Sequence, residues 1–147
     1  MKIPLELYKV SSRLQTRLRA SASIRFKDRP AIGVTFIIDT GSPITFVDEF
    51  VSSKVRIYTK NLRFDHDALM GGTKIAMYNA GDVIVDFIDS EGTLAKLSFK
   101  DMIVAKTEWT RKEAIYSGVS IIGLDFLSQV GAKLVVDPGK NVAYLEI

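Results

Sequence analysis

Short runs of apolar and β-branched residues, separated by turn residues, recur along the whole chain. In residues 14–26 the apolar and small side chains fall on alternate positions, which is the periodicity of a half-buried strand. Residues 31–38 are almost continuously apolar, so we expect that strand to be buried on both faces. Residues 83–88 alternate strictly. The pattern predicts an all-β domain.

The remaining segments extend this prediction. We expect hairpin turns at Gly71-Gly72 and at residues 79–82, and a terminal hairpin across residues 137–141. Residues 124–130 have helical spacing, and Gly131 after them is a suitable C-cap. Residues 108–114 are polar and predict a loop or one helical turn. The further strands are expected at residues 44–47, 55–58, 69–87, 94–104, 120–122, 133–136 and 143–147.

The amino-acid composition excludes several kinds of catalytic and metal site. A length of 147 residues suits one domain, and 47% hydrophobic with 25% charged residues is ordinary for a globular core. The chain has no cysteine, which excludes disulfides, thiolate catalysis and a cysteine zinc site. Its one histidine, His66, excludes a histidine-rich metal site and leaves a Ser-His-Asp triad only one place to form. We therefore expect no metal and no cofactor.

The net charge and the first residues of the chain indicate which partners and which cellular location to expect. The net charge is +3, and the basic residues of the first third are scattered, which favours a solvated face over nucleic-acid binding. Nucleic-acid binding by this basic third is the weaker alternative. No apolar run approaches the roughly 20 residues of a membrane span, and Pro4 and Glu6 interrupt any signal-peptide core. We expect a soluble cytoplasmic protein with no membrane partner.

Asp39 is the first candidate for chemistry. It ends the apolar run 31–38 and begins the turn Asp39-Thr40-Gly41-Ser42. A carboxylate at the end of a buried strand is costly unless it is hydrogen-bonded or functional. The glycine allows close approach of another backbone, and the Ser42 hydroxyl is placed to hydrogen-bond the carboxylate. Taken alone, these residues fit a turn aspartate that caps its own loop equally well.

A second motif lies near the C-terminus, where Ile121-Ile122-Gly123 precedes Leu124-Asp125-Phe126-Leu127. By itself it fits an ordinary strand-to-helix junction. Two apolar residues followed by glycine and a short helix, downstream of Asp-Thr-Gly, resemble the retropepsin-like aspartic proteases. The second motif is most similar to the cellular, non-viral branch of that family.

The region between the two motifs also fits this resemblance. Residues 70–75 resemble the tip of the glycine-rich flap hairpin that closes over substrate in retropepsins, with Gly71, Gly72 and Thr73 at the tip. Any hairpin turn is the alternative interpretation. The resemblance implies an all-β fold, a closed acid-protease β-barrel with one short C-terminal helix. It places an N-terminal extension at residues 1–13 and the protease domain at residues 14–147.

The resemblance implies a homodimeric aspartic endopeptidase acting on peptides or unfolded proteins. Its mechanism needs two carboxylates that share a proton, one as the base for water and the other as the acid for the scissile carbonyl. The chain has one Asp-Thr-Gly, so a second Asp39 has to come from a second copy across a two-fold axis. The alternative is a catalytically weak or inactive module that keeps the fold for dimerisation or peptide binding.

The resemblance also assigns roles by position. Asp39 is the catalytic group, Thr40 would bond the partner's loop, Gly41 would contact the substrate backbone and Ser42 would orient the carboxylate. Support under the loop would come from Ile121, Ile122 and Gly123. Pro43 and Ile44 stand where viral members often have acidic residues that hold the substrate main chain, which suggests a more apolar cleft.

Other polar and aromatic residues carry weaker expectations. We interpret Asp125 as structural, and His66 as a surface residue rather than a ligand. Trp109 and Tyr116 are expected to be packing or rim residues. Asp86 and Asp89 are expected to be strand-edge or turn carboxylates outside any catalytic pair.

Overall fold

The computed structural model describes residues 1–9, 16–70, 72–106 and 119–147. The segment 108–114, with Trp109, and Tyr116 beyond it therefore lie outside the described residues. Strands dominate, which confirms the all-β class. The strands are β1 (Lys2–Pro4), β2 (Glu6–Lys9), β3 (Thr16–Phe26), β4 (Ile32–Ile38), β5 (Phe46–Asp48), β6 (Arg63–Met70), β7 (Thr73–Asn79), β8 (Val83–Ile88), β9 (Leu94–Phe99), β10 (Ile103–Lys106), β11 (Ser120–Ile122), β12 (Lys133–Asp137) and β13 (Val142–Glu146). The helices are α1 (Glu49–Ser53) and α2 (Leu124–Val130), with 3-10 turns at Thr59–Asn61 and Pro138–Lys140.

The strands form two sheets. The larger sheet has the order β6-β7-β10-β5-β11-β4-β3-β8-β9, with β2 paired to β3 beside this path. The smaller sheet has the order β1-β13-β12. Among the described residues the larger sheet is a path from β6 to β9, and its closure into a barrel stays a prediction. No helix in the described part of the chain is long and apolar enough to cross a membrane.

Strand β4 lies in the middle of the larger sheet, antiparallel to β3 and parallel to β11. Its side chains alternate: Val34, Phe36 and Ile38 are buried, whereas Gly33 and Thr35 are exposed. The second face is covered in part, where half-buried Ile37 packs against a smaller apolar cluster. The expectation of burial on both faces was therefore wrong at Gly33 and Thr35, since small and β-branched residues tolerate the solvent face.

The buried hydrophobic residues form two clusters, a main core and a smaller one. In the main core, the Phe126 ring of α2 lies 5.3 Å from Phe99 and 6.2 Å from Phe87, measured between ring centroids. This packing fixes α2 against the sheet, since aromatic rings contribute large buried areas. The smaller cluster consists of Phe46, Ile75, Met77, Ile103, Ala105 and Ile121.

Residues 55–58 are not a strand, and α1 just before them is a second helix that the sequence had not predicted. Asp48 caps α1 by accepting a hydrogen bond from the Phe50 amide at 2.8 Å. The Ile57 amide donates to the Ser52 carbonyl at 3.0 Å, and Ser52 Oγ donates to the Ile57 carbonyl at 2.8 Å. Because Ile57 bonds back to α1, the segment is held against the helix rather than in the sheet.

The turn at residues 79–82 does not form a hairpin. Strand β7 pairs with β6 and β10, whereas β8 pairs with β3 and β9. The Ala80 amide donates to the Met102 carbonyl at 2.8 Å, and the Met102 amide donates to the Gly81 carbonyl at 2.9 Å. The turn residues reverse the chain direction, but their hydrogen bonds to Met102 in the β9–β10 connection separate β7 from β8.

The segment expected as an N-terminal extension contributes strands to both sheets. Strand β1 pairs with β13, and β2 pairs with β3. The amino group of Met1 donates to the Ile147 carbonyl at 3.0 Å, so the two chain ends meet. The expected terminal hairpin is present as β12 and β13, and α2 ends at Gly131 with a left-handed φ of 66°.

Candidate active site

Asp39 lies directly after β4, in the turn that leaves the centre of the larger sheet. Its backbone amide donates to the Ile122 carbonyl of β11 at 3.0 Å. Its Oδ1 accepts a hydrogen bond from the Gly41 amide at 2.9 Å, and its Oδ2 accepts none from a described residue. The side chain is exposed. The carboxylate is therefore held in place by its own turn while one oxygen stays open.

Ser42 does not make the contact expected of it. Its Oγ donates to the Ile44 carbonyl at 2.7 Å, and its amide donates to the Asp39 carbonyl at 3.0 Å. The hydroxyl thus shapes the loop, and Gly41 supplies the hydrogen bond to the carboxylate. A Cβ on Gly41 would lie 3.1 Å from Asp39 Oδ1, so the glycine leaves room for this contact. Thr40 is exposed at the same turn.

The second motif lies against this loop. Ile121 and Ile122 pair in register with Ile37 and Ile38 of β4, and both are buried. A Cβ on Gly123 would lie 2.5 Å from the Ile44 carbonyl oxygen, far inside van der Waals contact. Only a glycine fits this close approach of two backbones.

Two further hydrogen bonds show how close the loop lies to α2. The Leu124 amide donates to the Ser42 carbonyl at 2.9 Å. The Gly123 amide donates to Thr45 Oγ1 at 2.9 Å, and this contact is buried. The loop that carries Asp39 is therefore hydrogen-bonded to the start of α2.

Thr45 and Asp125 form a clamp that was not predicted. Thr45 is fully buried; its amide donates to Asp125 Oδ2 at 3.0 Å, and its Oγ1 donates to Asp125 Oδ1 at 2.6 Å. The Phe126 amide donates to the same carboxylate at 2.7 Å. Asp125 is structural, as expected, and it has a specific role: it joins the loop that follows Asp39 to α2. An acid in the first turn of a helix was the one available signal.

The β6–β7 hairpin faces Asp39 across a cleft. Its last register pair is Met70 with Thr73, and Gly72 at its tip has φ of 82°, which favours glycine. Gly71 lies outside the described residues. Leu69 beside the tip is 78% exposed. The hairpin therefore presents a glycine-containing turn and an exposed apolar side chain over the cleft.

The cleft has a volume of about 880 Å³. Residues of the smaller apolar cluster, among them Phe46, Ile75 and Ile121, form much of its wall. The charged or titratable residues that line it are Arg17, Asp39, His66, Asp67, Lys74 and Lys106. The cleft thus combines an apolar wall with a few charged groups.

The remaining candidates are placed as follows. His66 is half-buried and lines the cleft, with its Nδ1 2.6 Å from Asp65 Oδ2. Asp86 is 7% exposed, and its Oδ2 lies 3.1 Å from an Arg25 nitrogen. It is not at a strand edge, because β8 lies between β3 and β9. Asp89 accepts hydrogen bonds from the Glu91 and Thr93 amides in a turn.

We compared the chain with known protein families, curated proteins and solved structures. No protein-family model matches the sequence, and no curated protein matches it. A retropepsin-like aspartic protease from Rickettsia conorii is similar in structure, with a TM-score of 0.55 and 13% identity over 99% of this chain and 88% of that one. An inhibitor complex of EIAV protease has a TM-score of 0.48 and 20% identity over 86% of this chain and 100% of that one. The likeness to the Rickettsia conorii protein shows the fold, which is retropepsin-like.

Proposed function

We propose, with the retropepsin-like fold as the premise, that this chain is a homodimeric aspartic endopeptidase whose catalytic group is Asp39. The observation that carries the proposal is the setting of that carboxylate. It is fixed by the Gly41 amide at 2.9 Å, its turn is anchored to Ile122, and it opens onto a cleft of about 880 Å³. The likeness to an aspartic protease supports the reaction class at the level of the fold.

The reaction follows from two Asp39 carboxylates that share one proton. The ionised carboxylate takes a proton from water, and the resulting hydroxide attacks the scissile carbonyl carbon. The protonated carboxyl donates its hydrogen to the carbonyl oxygen as negative charge develops there. Collapse of the tetrahedral intermediate breaks the C–N bond, and the amine leaves with a proton from the pair.

A second copy of the chain is needed to complete this pair. The described carboxylates that line the cleft are Asp39 and Asp67. Asp67 Oδ2 lies 3.1 Å from Lys74 Nζ on the neighbouring strand, so it is engaged in an ion pair. A two-fold axis beside the Asp39 turn would bring two equivalent carboxylates together, and Thr40, exposed in that turn, would then contact the partner's loop.

The β6–β7 hairpin is proposed as the flap. Gly72 and Thr73 at its tip would close over an extended peptide, whose backbone would lie between the hairpin and Gly41. Closure of such a hairpin excludes water and aligns the scissile bond. Gly71 belongs to this proposal by its position in the sequence. The proposed site is thus built from one rigid loop and one movable hairpin.

The test is cleavage of an unfolded protein or a peptide library by the wild type and by Asp39→Asn. We expect the substitution to lower kcat by about 10²-fold to 10⁴-fold, because it removes the acid–base pair. Asp89→Asn is the matched control, since Asp89 is also a turn aspartate whose Oδ1 accepts backbone amides. Cleavage that survives in Asp39→Asn at the wild-type rate would reject the proposal.

The same experiment decides the alternative. A wild-type protein that binds peptides but cleaves none, in the range from acid to neutral pH, would be the peptide-binding or dimerisation module. Size measurement by light scattering accompanies the assay, because a protein that is monomeric at its working concentration cannot supply two Asp39 residues.

A further inference from the structure

Arg17 lies in β3, the strand next to β4, and lines the same cleft as Asp39. In the antiparallel pairing of β3 with β4, Arg19 is opposite Ile37 and Leu18 is opposite Ile38. This is the last pair of the ladder: Arg17 precedes Leu18 in β3, and Asp39 follows Ile38 as the first residue beyond β4. Both residues line the cleft.

No described carboxylate forms an ion pair with Arg17, whereas Arg19 and Arg25 on the same strand are paired. Arg19 makes a two-pronged contact with Glu6 at 2.7 and 2.6 Å, and Arg25 pairs with Asp86 at 3.1 Å. Within the described part of the chain, the exposed Arg17 has no ion pair, with Asp39 or with any other carboxylate.

The other positive groups of the cleft are engaged. Lys74 Nζ lies 3.1 Å from Asp67 Oδ2, and His66 Nδ1 lies 2.6 Å from Asp65 Oδ2. Lys106 also has an interaction partner. Arg17 is therefore the described cation of the cleft that is open to a ligand.

The chemistry of the side chain defines that ligand. A guanidinium stays charged at every working pH, and its planar fork matches a carboxylate with two parallel hydrogen bonds. We propose that Arg17 is a specificity residue that binds a carboxylate of the peptide substrate close to the scissile bond. The carboxylate belongs either to an Asp or Glu side chain or to the C-terminus of a short peptide. The inference rests on the proposed function, since it assumes that the cleft receives a peptide.

The expected effect is a preference for acidic peptides. Hydrogen bonds to charged groups are stronger than neutral ones, but exposure to water and salt weakens them. We therefore expect kcat/KM to be about tenfold higher for a peptide with Asp or Glu near the cut than for its Asn or Gln twin. The preference should shrink as salt is raised.

The test uses peptides that differ only in this charge. One series moves a single Glu, or Gln in its twin, through the positions on both sides of the cut. A second series compares a free C-terminus with an amide. A preference confined to the first series identifies a side chain as the ligand, and one confined to the second identifies the chain end. Equal rates for all twins in the wild type would overturn the proposal.

Two variants assign the preference to Arg17. Arg17→Gln should bring the Glu-to-Gln ratio of kcat/KM close to one, and Arg17→Glu should favour a Lys peptide instead. Arg29→Gln removes the same charge from an exposed turn away from the cleft and should keep the wild-type ratio. A wild-type ratio in Arg17→Gln, or loss of the dimer in that variant, would overturn the proposal.

A binding measurement separates this inference from the proposed function. Fluorescence anisotropy of the same labelled peptides on Asp39→Asn, with and without Arg17→Gln, needs no cleavage. If the wild type cleaves nothing, the proposed function fails, but an Arg17-dependent difference of about tenfold in Kd still supports the carboxylate site. Equal Kd values for the twins would reject the site whether or not the protein cleaves peptides.

Discussion

Gly123 lies where the start of α2 contacts the loop that follows Asp39. Added as a side chain, a Cβ there would meet the Ile44 carbonyl oxygen at 2.5 Å and the Ser42 carbonyl oxygen at 2.7 Å. Both atoms belong to the loop that follows Asp39, and neither is the end of a flexible side chain. The loop or α2 would have to move, and the hydrogen bond from Leu124 to Ser42 would lengthen.

We expect Gly123→Ala to lower the free energy of unfolding by about 1–3 kcal/mol, the usual cost of forcing extra volume into a packed site. Proteolytic activity should fall as well, because Asp39 moves with the loop. Urea denaturation measures the first effect. Gly33→Ala is the control: that glycine lies in β4 with open space around its Cβ position. Equal stability of the two variants would contradict this view of the loop.

Among the elements, β2 is held to the larger sheet partly by charge. Arg19 of β3 donates hydrogen bonds to both carboxylate oxygens of Glu6 in β2. These hydrogen bonds, and to a lesser extent the positive charge itself, lower the pKa of Glu6 below its ordinary value. They likewise raise the pKa of Arg19. The ion pair is exposed, so its effect is reduced by solvent and salt.

This lowered pKa predicts a pH-dependent effect of Glu6→Gln. A carboxylate with a depressed pKa in the folded state stabilises the protein above its unfolded pKa of about 4.3. That contribution is lost as the pH falls through the folded-state pKa. The variant should therefore be slightly less stable than the wild type at neutral pH and equally stable in strong acid. Thermal unfolding of both proteins across this pH range measures the difference.

Glu91→Gln serves as the control for this measurement, since Glu91 is exposed in the β8–β9 turn and has no ion pair in the described part of the chain. A stability difference for Glu6→Gln that stays constant from neutral to acid pH would show that the substitution acts through packing rather than through charge.

Each chain supplies one Asp39. The N- and C-terminal strands of the chain pair in the smaller sheet. Strand β13 has β1 on one side and β12 on the other, so both of its edges are already paired within the chain. The outer strands of this sheet are β1 and β12. The proposed mechanism requires the second copy to approach at the exposed turn after Asp39. Under the proposed function, activity is a property of the pair of chains.

Subunit mixing tests this dependence. When about equal amounts of wild type and Asp39→Asn exchange subunits, about one quarter of the dimers remain fully wild type, by random pairing across a two-fold axis. Activity should fall to about half that of the same wild-type protein left unmixed. Mixing with the active Asp89→Asn variant should cause no loss. Unchanged activity in the first mixture would show that one chain suffices.

Local pattern by itself determined much of this protein. Alternation along residues 83–88 predicted the strand there, and the end of the apolar run at Ile38 predicted the turn at Asp39. Both signals are local, because side-chain period and turn chemistry act over a few residues. Gly131 as the C-cap of α2 is of the same kind. The two motifs around Asp39 and Gly123 supplied the resemblance to an aspartic protease, and the structure bears out that fold.

Only the tertiary structure decided what depends on distant partners. Residues 55–58 have strand-like composition but bond to Ser52, and residues 79–82 have hairpin composition but separate two strands that do not pair. Thr45 and Asp125 are far apart in the chain but hydrogen-bonded in the fold, and Arg17 and Asp39 line the same cleft. Such contacts follow from how the sheets assemble, since long-range pairing sets the neighbours that local propensity cannot specify.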